Sequence, residues 1–159
     1  MAESSDNTNY FRGYYDQSPG IADVGSYQVS GYPWITGSII KDGEEHIITF
    51  PSVAKSISVQ NKTLGGGAGA DTDLRLHFAT KEDSGVYGNH QYVKLAGASS
   101  GMAAQDASGQ TTLNVKCSKI YISAPGSTTN NATYEVQAML TGISTANMFE
   151  LTGSGINTR

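Results

Sequence analysis

Tyr134-Glu135-Val136-Gln137-Ala138-Met139-Leu140 decides the fold class. Tyr134, Val136, Ala138 and Leu140 alternate with Glu135, Gln137 and Met139, and a period of two puts the first set on one face of a strand and the second on the other. Working outward, Leu113, Val115 and Cys117 alternate with Thr112, Asn114 and Lys116, and Ile120 and Ile122 continue the pattern past a bulge expected at Ser118-Lys119. Leu74, Leu76 and Phe78 alternate with Arg75 and His77. Val53, Ile57 and Val59 alternate with Ser52, Ser56 and Ser58 after Pro51, which is expected to interrupt the strand carrying His46, Ile48 and Phe50. Ile35–Ile40 and a weaker run at Gln91–Leu95 complete seven or eight short strands separated by Gly, Ser, Asn and Asp loops. That spacing predicts an all-β protein, an antiparallel β-sandwich or jelly roll, with Ile57, Val59, Leu74, Leu76, Phe78, Leu113, Val115, Ile120, Ile122, Val136 and Leu140 in the core. The best helical candidate, Gly101–Asp106, is shorter than two turns.

The first residues read differently. No strand or helix period runs through Met1–Ser26, yet the stretch to Trp34 carries Tyr10, Phe11, Tyr14, Tyr15, Tyr27, Tyr32 and the chain's single tryptophan. Such a polar, glycine-punctuated segment has too little aliphatic surface to offset an ordering cost of roughly 1–2 kcal/mol per residue. The division expected is an extended aromatic-rich arm, residues 1–34, and a β body, residues 35–159. The seven rings are the candidate partner-binding anchors. Docking on the chain's own body and a solvated tail are the competing readings of the arm.

Charge is sparse, at 15% of residues, and the net charge is −4. The basic residues near the centre, Lys55, Lys62 and Arg75, are scattered, so no nucleic-acid partner is expected. No apolar run approaches the ~20 residues that span a bilayer, so no membrane partner is expected either. Met1–Asp6 carry no basic and apolar leader pattern, which points to folding in a cytosol. Cys117 is the only cysteine, and its apolar strand neighbours favour a buried, inert thiol.

Three features invite chemistry, and each has a blander reading. The loop Leu64–Asp73 is glycine-rich, but a phosphate cradle needs a following Lys-Ser/Thr and a helix, and a strand follows here. Asp71 and Asp73 could hold a hard cation, although two carboxylates do not supply the six to eight oxygens calcium takes. His46, His77 and His90 lack metal-ligand spacing, and no serine stands in an elbow motif that would complete a triad with His90 and Asp83. The Asn61-Lys62-Thr63 and Asn131-Ala132-Thr133 sequons matter only in a secretory pathway. No catalytic residue, metal ligand or cofactor is assigned, and no enzyme activity is expected.

Gly25–Ser38, Ile48–Val59 and Leu74–Ala79, followed by Val115–Ser123, Tyr134–Ile143 and Leu151–Ile156, together resemble small β-rich virion structural proteins of tailed bacteriophages, marine and cyanobacterial ones in particular. The resemblance covers residues 25–156 and rests on overall pattern. It implies a capsid decoration (cement) protein present in many copies or as a homo-oligomer. The partner implied is the major capsid protein or another virion protein, on a virion assembled in the host cytoplasm. A tail or neck protein and a carbohydrate-binding receptor-recognition module are the alternatives.

Overall fold

A computed structural model of the chain describes residues 31–63, 73–82, 86, 90–97, 109–125 and 131–148. Seven strands lie in it: β1 Tyr32–Ile40, β2 Glu45–Asn61, β3 Leu74–His77, β4 Val93–Leu95, β5 Gln110–Leu113, β6 Cys117–Ser123 and β7 Ala132–Leu140. Every pairing is antiparallel, and the order is β1-β7-β2-β6-β3-β4, with β5 also on β2. The antiparallel all-β class is therefore as read from sequence. The strands form one hydrogen-bonded sheet that curls, in place of two separate sheets.

The curl originates in β2. Its first half pairs with β6 from Glu45 to Thr49, and its second half pairs with β7 from Ala54 to Asn61 and with β5 from Ile57 to Gln60. The β6 register slips between Thr49 and Ala54. Pro51 lies in that slip, where its missing N–H costs the ladder nothing. The strand thus runs through Pro51, contrary to the sequence expectation that it stops there. A strand that bends at such an irregularity serves both halves of a curled sheet. The ladder irregularity does fall at Ser118, between the Thr49–Lys119 and Ala54–Cys117 pairs, although β6 itself is continuous from Cys117. The extra residues are on β2, and the break between β5 and β6 at residues 114–116 falls one step further along it, between the Ala54–Cys117 and Ile57–Leu113 pairs.

Inside the curl, Ile40, Ile48, Phe50, Ile57, Val59, Leu74, Leu76, Leu95, Ile120, Ile122, Val136 and Leu140 form one buried cluster. Phe78, Leu113 and Val115, expected in the core, are only partly buried and pack against its rim. Cys117 is in the cluster, and burial pushes its thiol up to about 12, as expected of an inert cysteine. Val53 is fully buried outside that cluster. Its carbonyl accepts from the Thr141 N–H (2.8 Å) and Thr141 Oγ1 (2.7 Å), and its N–H donates to the Ile143 carbonyl (3.0 Å). The segment after β7 thereby closes over the bend in β2.

The boundary between arm and body also moves. β1 starts at Tyr32, so Tyr32, Pro33 and Trp34, assigned to the arm from sequence, are the first residues of the sheet. Tyr32 pairs with Leu140 and Trp34 with Ala138, because the period of two in β7 gives them a ladder to join.

Candidate functional site

Among the described residues β1 ends the sheet, and its two faces differ. Trp34, Thr36 and Ile40 turn inward, with the Trp34 ring meeting Phe50 edge-on at 5.2 Å between centroids. Ile35 and Ile39 turn outward and are 66% and 60% exposed. Met139, 45% exposed, stands on the same face of β7 opposite Pro33, next to Ile35, while Tyr32, 71% exposed at the start of the strand, is of the other parity, opposite Leu140. No charged residue occurs between Tyr32 and Ile40. The nearest ion pair, Lys62 with Glu135 at 2.5 Å, flanks this row on the same face, with Glu135 across from Gly37 between Ile35 and Ile39. An uncharged row of large apolar groups on an outer sheet face suits a surface that another polypeptide covers.

A groove of about 450 Å³ opens on the other side of β1, between that strand and the first half of β2. Trp34, Thr36, Ser38, His46, Thr49 and Tyr134 line it. His46 Nδ1 and the Tyr134 hydroxyl are 2.9 Å apart, with the rings edge-to-face at 5.8 Å. Burial raises the Tyr134 phenol above its ordinary value, so it remains protonated and available as a hydrogen-bond donor. This mixture of aromatic faces and hydroxyls can bind by stacking and hydrogen bonding.

The other sequence candidates have structural uses. His77 and Ser123 are fully buried at the β3–β6 pairing. The Ala79 carbonyl, 2.5 Å from Nδ1 of His77, can only accept, so Nδ1 carries the proton and Nε2 accepts from the Ser123 hydroxyl at 2.8 Å. The ring stacks on Tyr121 at 5.8 Å. Burial holds His77 below its ordinary value, against the opposing influence of the Ala79 carbonyl and the Glu45 carboxylate. The arrangement has the outline of a nucleophile and its base, but neither group is open to a substrate. Glu45, 3.9 Å from the ring, is itself engaged by Thr80 Oγ1 (3.1 Å) and the Lys81 N–H (2.6 Å). The sequence placed His77 on the polar side of a half-buried strand. The β6 partner it meets was not legible from β3 alone.

Asp73 is paired with Lys94 at 2.5 Å and accepts from the Gly97 N–H at 2.9 Å, while Asp71 lies outside the described residues. Among the described residues no group of three or more His, Cys, Asp and Glu is placed to hold a metal ion. His90 has φ 56° and contacts Tyr92, over whose ring the Arg75 guanidinium sits at 4.6 Å. Among the described residues no helix is long and apolar enough to cross a membrane.

The first sequon proves to be a turn. Asn61 is fully buried; its Oδ1 accepts from the Thr63 N–H (3.0 Å) and Oγ1–H (2.6 Å), and its Nδ2 donates to the Leu95 carbonyl (3.2 Å). Asn-x-Thr here is the chemistry of an Asx turn closing β2. Of the seven rings read as partner anchors, Tyr10, Phe11, Tyr14, Tyr15 and Tyr27 lie outside the described residues. Tyr32 is exposed at the start of β1 but on the Trp34 side of the strand, opposite Leu140, and Trp34 is a half-buried wall of the groove packed on the core. The exposed row of Ile35, Ile39 and Met139 was missed. The alternation in Ile35–Ile40 was visible, but its outward side was not distinguishable from its inward one.

The chain matches no known protein family and no curated protein by sequence.

Proposed function

We propose that this chain is a non-enzymatic structural subunit of a bacteriophage particle, a decoration protein that binds the assembled shell and stabilises it. The observation that carries the reading is the outward side of β1, a strand with no charged residue, where Ile35 and Ile39 lie exposed with Met139 of β7 on the same face. The particle itself comes from the sequence resemblance over residues 25–156; the sparse charge is what a subunit covered by neighbours needs. A subunit that binds only the assembled shell favours it by RT ln(1 + [L]/Kd), about 2.7 kcal/mol per site at a hundredfold excess over Kd. Many copies multiply that effect.

The aromatic arm is the second element of the proposal. Residues 1–30, which end one residue before Gly31 and two before β1, are the segment to delete, because a cut after residue 34 removes Trp34 from under Phe50. Purified chain added to undecorated shells should co-sediment with them, and imaging should place it in regular array on the shell. Deleting residues 1–30 should weaken this binding by several kcal/mol, at about 2 kcal/mol for each aromatic anchor lost. Failure of the full chain to bind shells, necks or tails would refute the virion assignment.

Glycan recognition is the second reading, supported by the groove in which Trp34, His46 and Tyr134 meet. Binding on a glycan array that is lost in Tyr134→Phe, with no affinity for shells, would favour it over decoration.

A further inference from the structure

The directions of the β1 backbone groups follow from the bonds that β7 makes on its other side and from the β1–β7 register. On β7, Thr133 directs both its groups toward β2: its carbonyl accepts from the Lys62 N–H at 2.7 Å and its N–H donates to Thr63 Oγ1 at 2.8 Å. Thr141, of the same parity, donates its N–H to the Val53 carbonyl. Successive residues of a strand direct their backbone groups to opposite edges, so Tyr134, Val136 and Ala138 direct theirs at β1. Their partners there are Ser38, Thr36 and Trp34. Ile35, Gly37 and Ile39 therefore point their N–H and C=O groups away from β7, along an edge that pairs with no other strand among the described residues.

Natural sheets defend such edges with lysine, proline, bulges or brevity. β1 has nine residues, no charge and a regular register against β7, and its one proline stands at the second position.

We propose that this edge pairs antiparallel with the same edge of a second copy of the chain, with Ile35 opposite Ile39 of the second copy and Gly37 on the two-fold axis. The three residue pairs so formed are all of the hydrogen-bonded kind, which gives about six backbone hydrogen bonds. They also bring Ile35 and Ile39 of both chains into one apolar cluster on the outer face. The neighbouring registers are poorer. Centring on Thr36 puts Pro33 opposite Ile39, where the missing N–H leaves a carbonyl unpaired on each chain. Centring on Ser38 puts Ile35 opposite Lys41, whose N–H is already held by Glu44 Oε2 at 3.2 Å. Gly37 suits the axis: a Cβ there would stand 2.8 Å from the Tyr134 carbonyl, so glycine is required by β7 and leaves the centre of the pairing unobstructed. An isologous contact of this kind closes on itself and leaves no β1 edge for a third copy.

The inference does not rest on the virion assignment, and purified full-length chain tests it. Sedimentation should show a concentration-dependent monomer–dimer equilibrium, and Ile35→Lys or Ile39→Lys should each raise its dissociation constant at least about tenfold while circular dichroism, and melting at concentrations where both chains are monomeric, stay unchanged. The register has its own test. Hydrogen-bonded antiparallel partners have Cα atoms about 5.5 Å apart, inside the disulfide range of roughly 4.4–6.8 Å. A mixture of Ile35→Cys chains with Ile39→Cys chains should therefore cross-link on mild oxidation, and neither variant alone should. The native Cys117 is buried and does not compete. A chain that stays monomeric at every concentration overturns the proposal, as does cross-linking of Ile35→Cys alone. If the free chain is monomeric and Ile35→Lys abolishes shell binding, self-pairing falls and the decoration reading stands. If the chain dimerises in this register and binds no particle, the outcome is the reverse.

Discussion

The two ends of the sheet are built on opposite principles. β4 has three residues, and its central one is Lys94, held by Asp73 at 2.5 Å. β1 has nine residues, no charge, and isoleucines on its open face. The β4 end is short and charged, as edges that must not pair usually are; buried Asn61 donates to the Leu95 carbonyl, and the next two strands carry the buried His77–Ser123 bond. At the β1 end there is no such guard. Among the described residues one edge is guarded and the other is not, and the proposed pairing through β1 rests on that contrast. The comparison also separates two kinds of energy. The β4 end is held by internal polar bonds whose loss would be felt in folding, whereas the outward side chains of β1 are exposed and, in the proposed pairing, contribute to association and little to the fold of a single copy.

The largest expected effect breaks the protected end. His77→Ala removes a buried ring stacked on Tyr121 and leaves the Ser123 hydroxyl and the Ala79 carbonyl without their partner. A buried cavity together with lost hydrogen bonds should cost about 3 kcal/mol, read in a denaturant titration. Association through β1 should be unaffected in the protein that remains folded.

Trp34→Ala comes next and tests the inner side of the bare end. Its ring is half-buried against Phe50, so truncation should cost about 2 kcal/mol of stability. By contrast Ile35→Lys, at the neighbouring position, should change stability by less than about 0.5 kcal/mol because its side chain is already in solvent. Equal losses at the two positions would mean that the faces of β1 are not distinct.

How much of this was legible beforehand follows the same division. The alternation in β7, β6 and β3 depends on one strand at a time, and a period of two is enough to find it, so the all-β class and the buried Ile57, Leu76, Ile122 and Val136 were readable. The start of β1 at Tyr32 was not, because Tyr-Pro-Trp acquires strand geometry from its pairing with Ala138–Leu140. Nor was the passage of β2 through Pro51, which is tolerable only because the β6 ladder slips there. The His77–Ser123 bond joins residues 46 apart in sequence, and the bare β1 edge is defined by which strand is next to it. Both are properties of pairing, which a single strand's sequence does not carry.

A smaller effect concerns pH. Burial holds folded His77 below the 6.5 of an unfolded histidine. Between the two values the unfolded chain takes up a proton that the folded chain refuses, so stability rises with pH across that window. The contribution is fully present above about pH 6.5 and is lost as pH falls from there toward the folded-state value, below which the decline from this group stops. His77→Gln should remove this part of the slope in melting temperature against pH. A wild-type slope that persists in His77→Gln would assign it to other groups.

The smallest expected effect sharpens the contrast between the two edges. Lys94 is 62% exposed along its side chain and pairs with an Asp73 that also accepts from the Gly97 N–H. Exposed ion pairs contribute little, so Lys94→Ala should shift stability by about 0.5 kcal/mol or less in a thermal melt. Removing the charge also unguards the edge, and here the two ends should still differ. A three-residue strand offers too short a ladder to offset the entropy of association, whereas nine regular residues do. Lys94→Ala should therefore leave the sedimentation behaviour of the chain unchanged, alone and in combination with Ile35→Lys. If Lys94→Ala instead drives association in the Ile35→Lys background, the charge was what kept β4 from pairing, and length is not the protection assigned to it here.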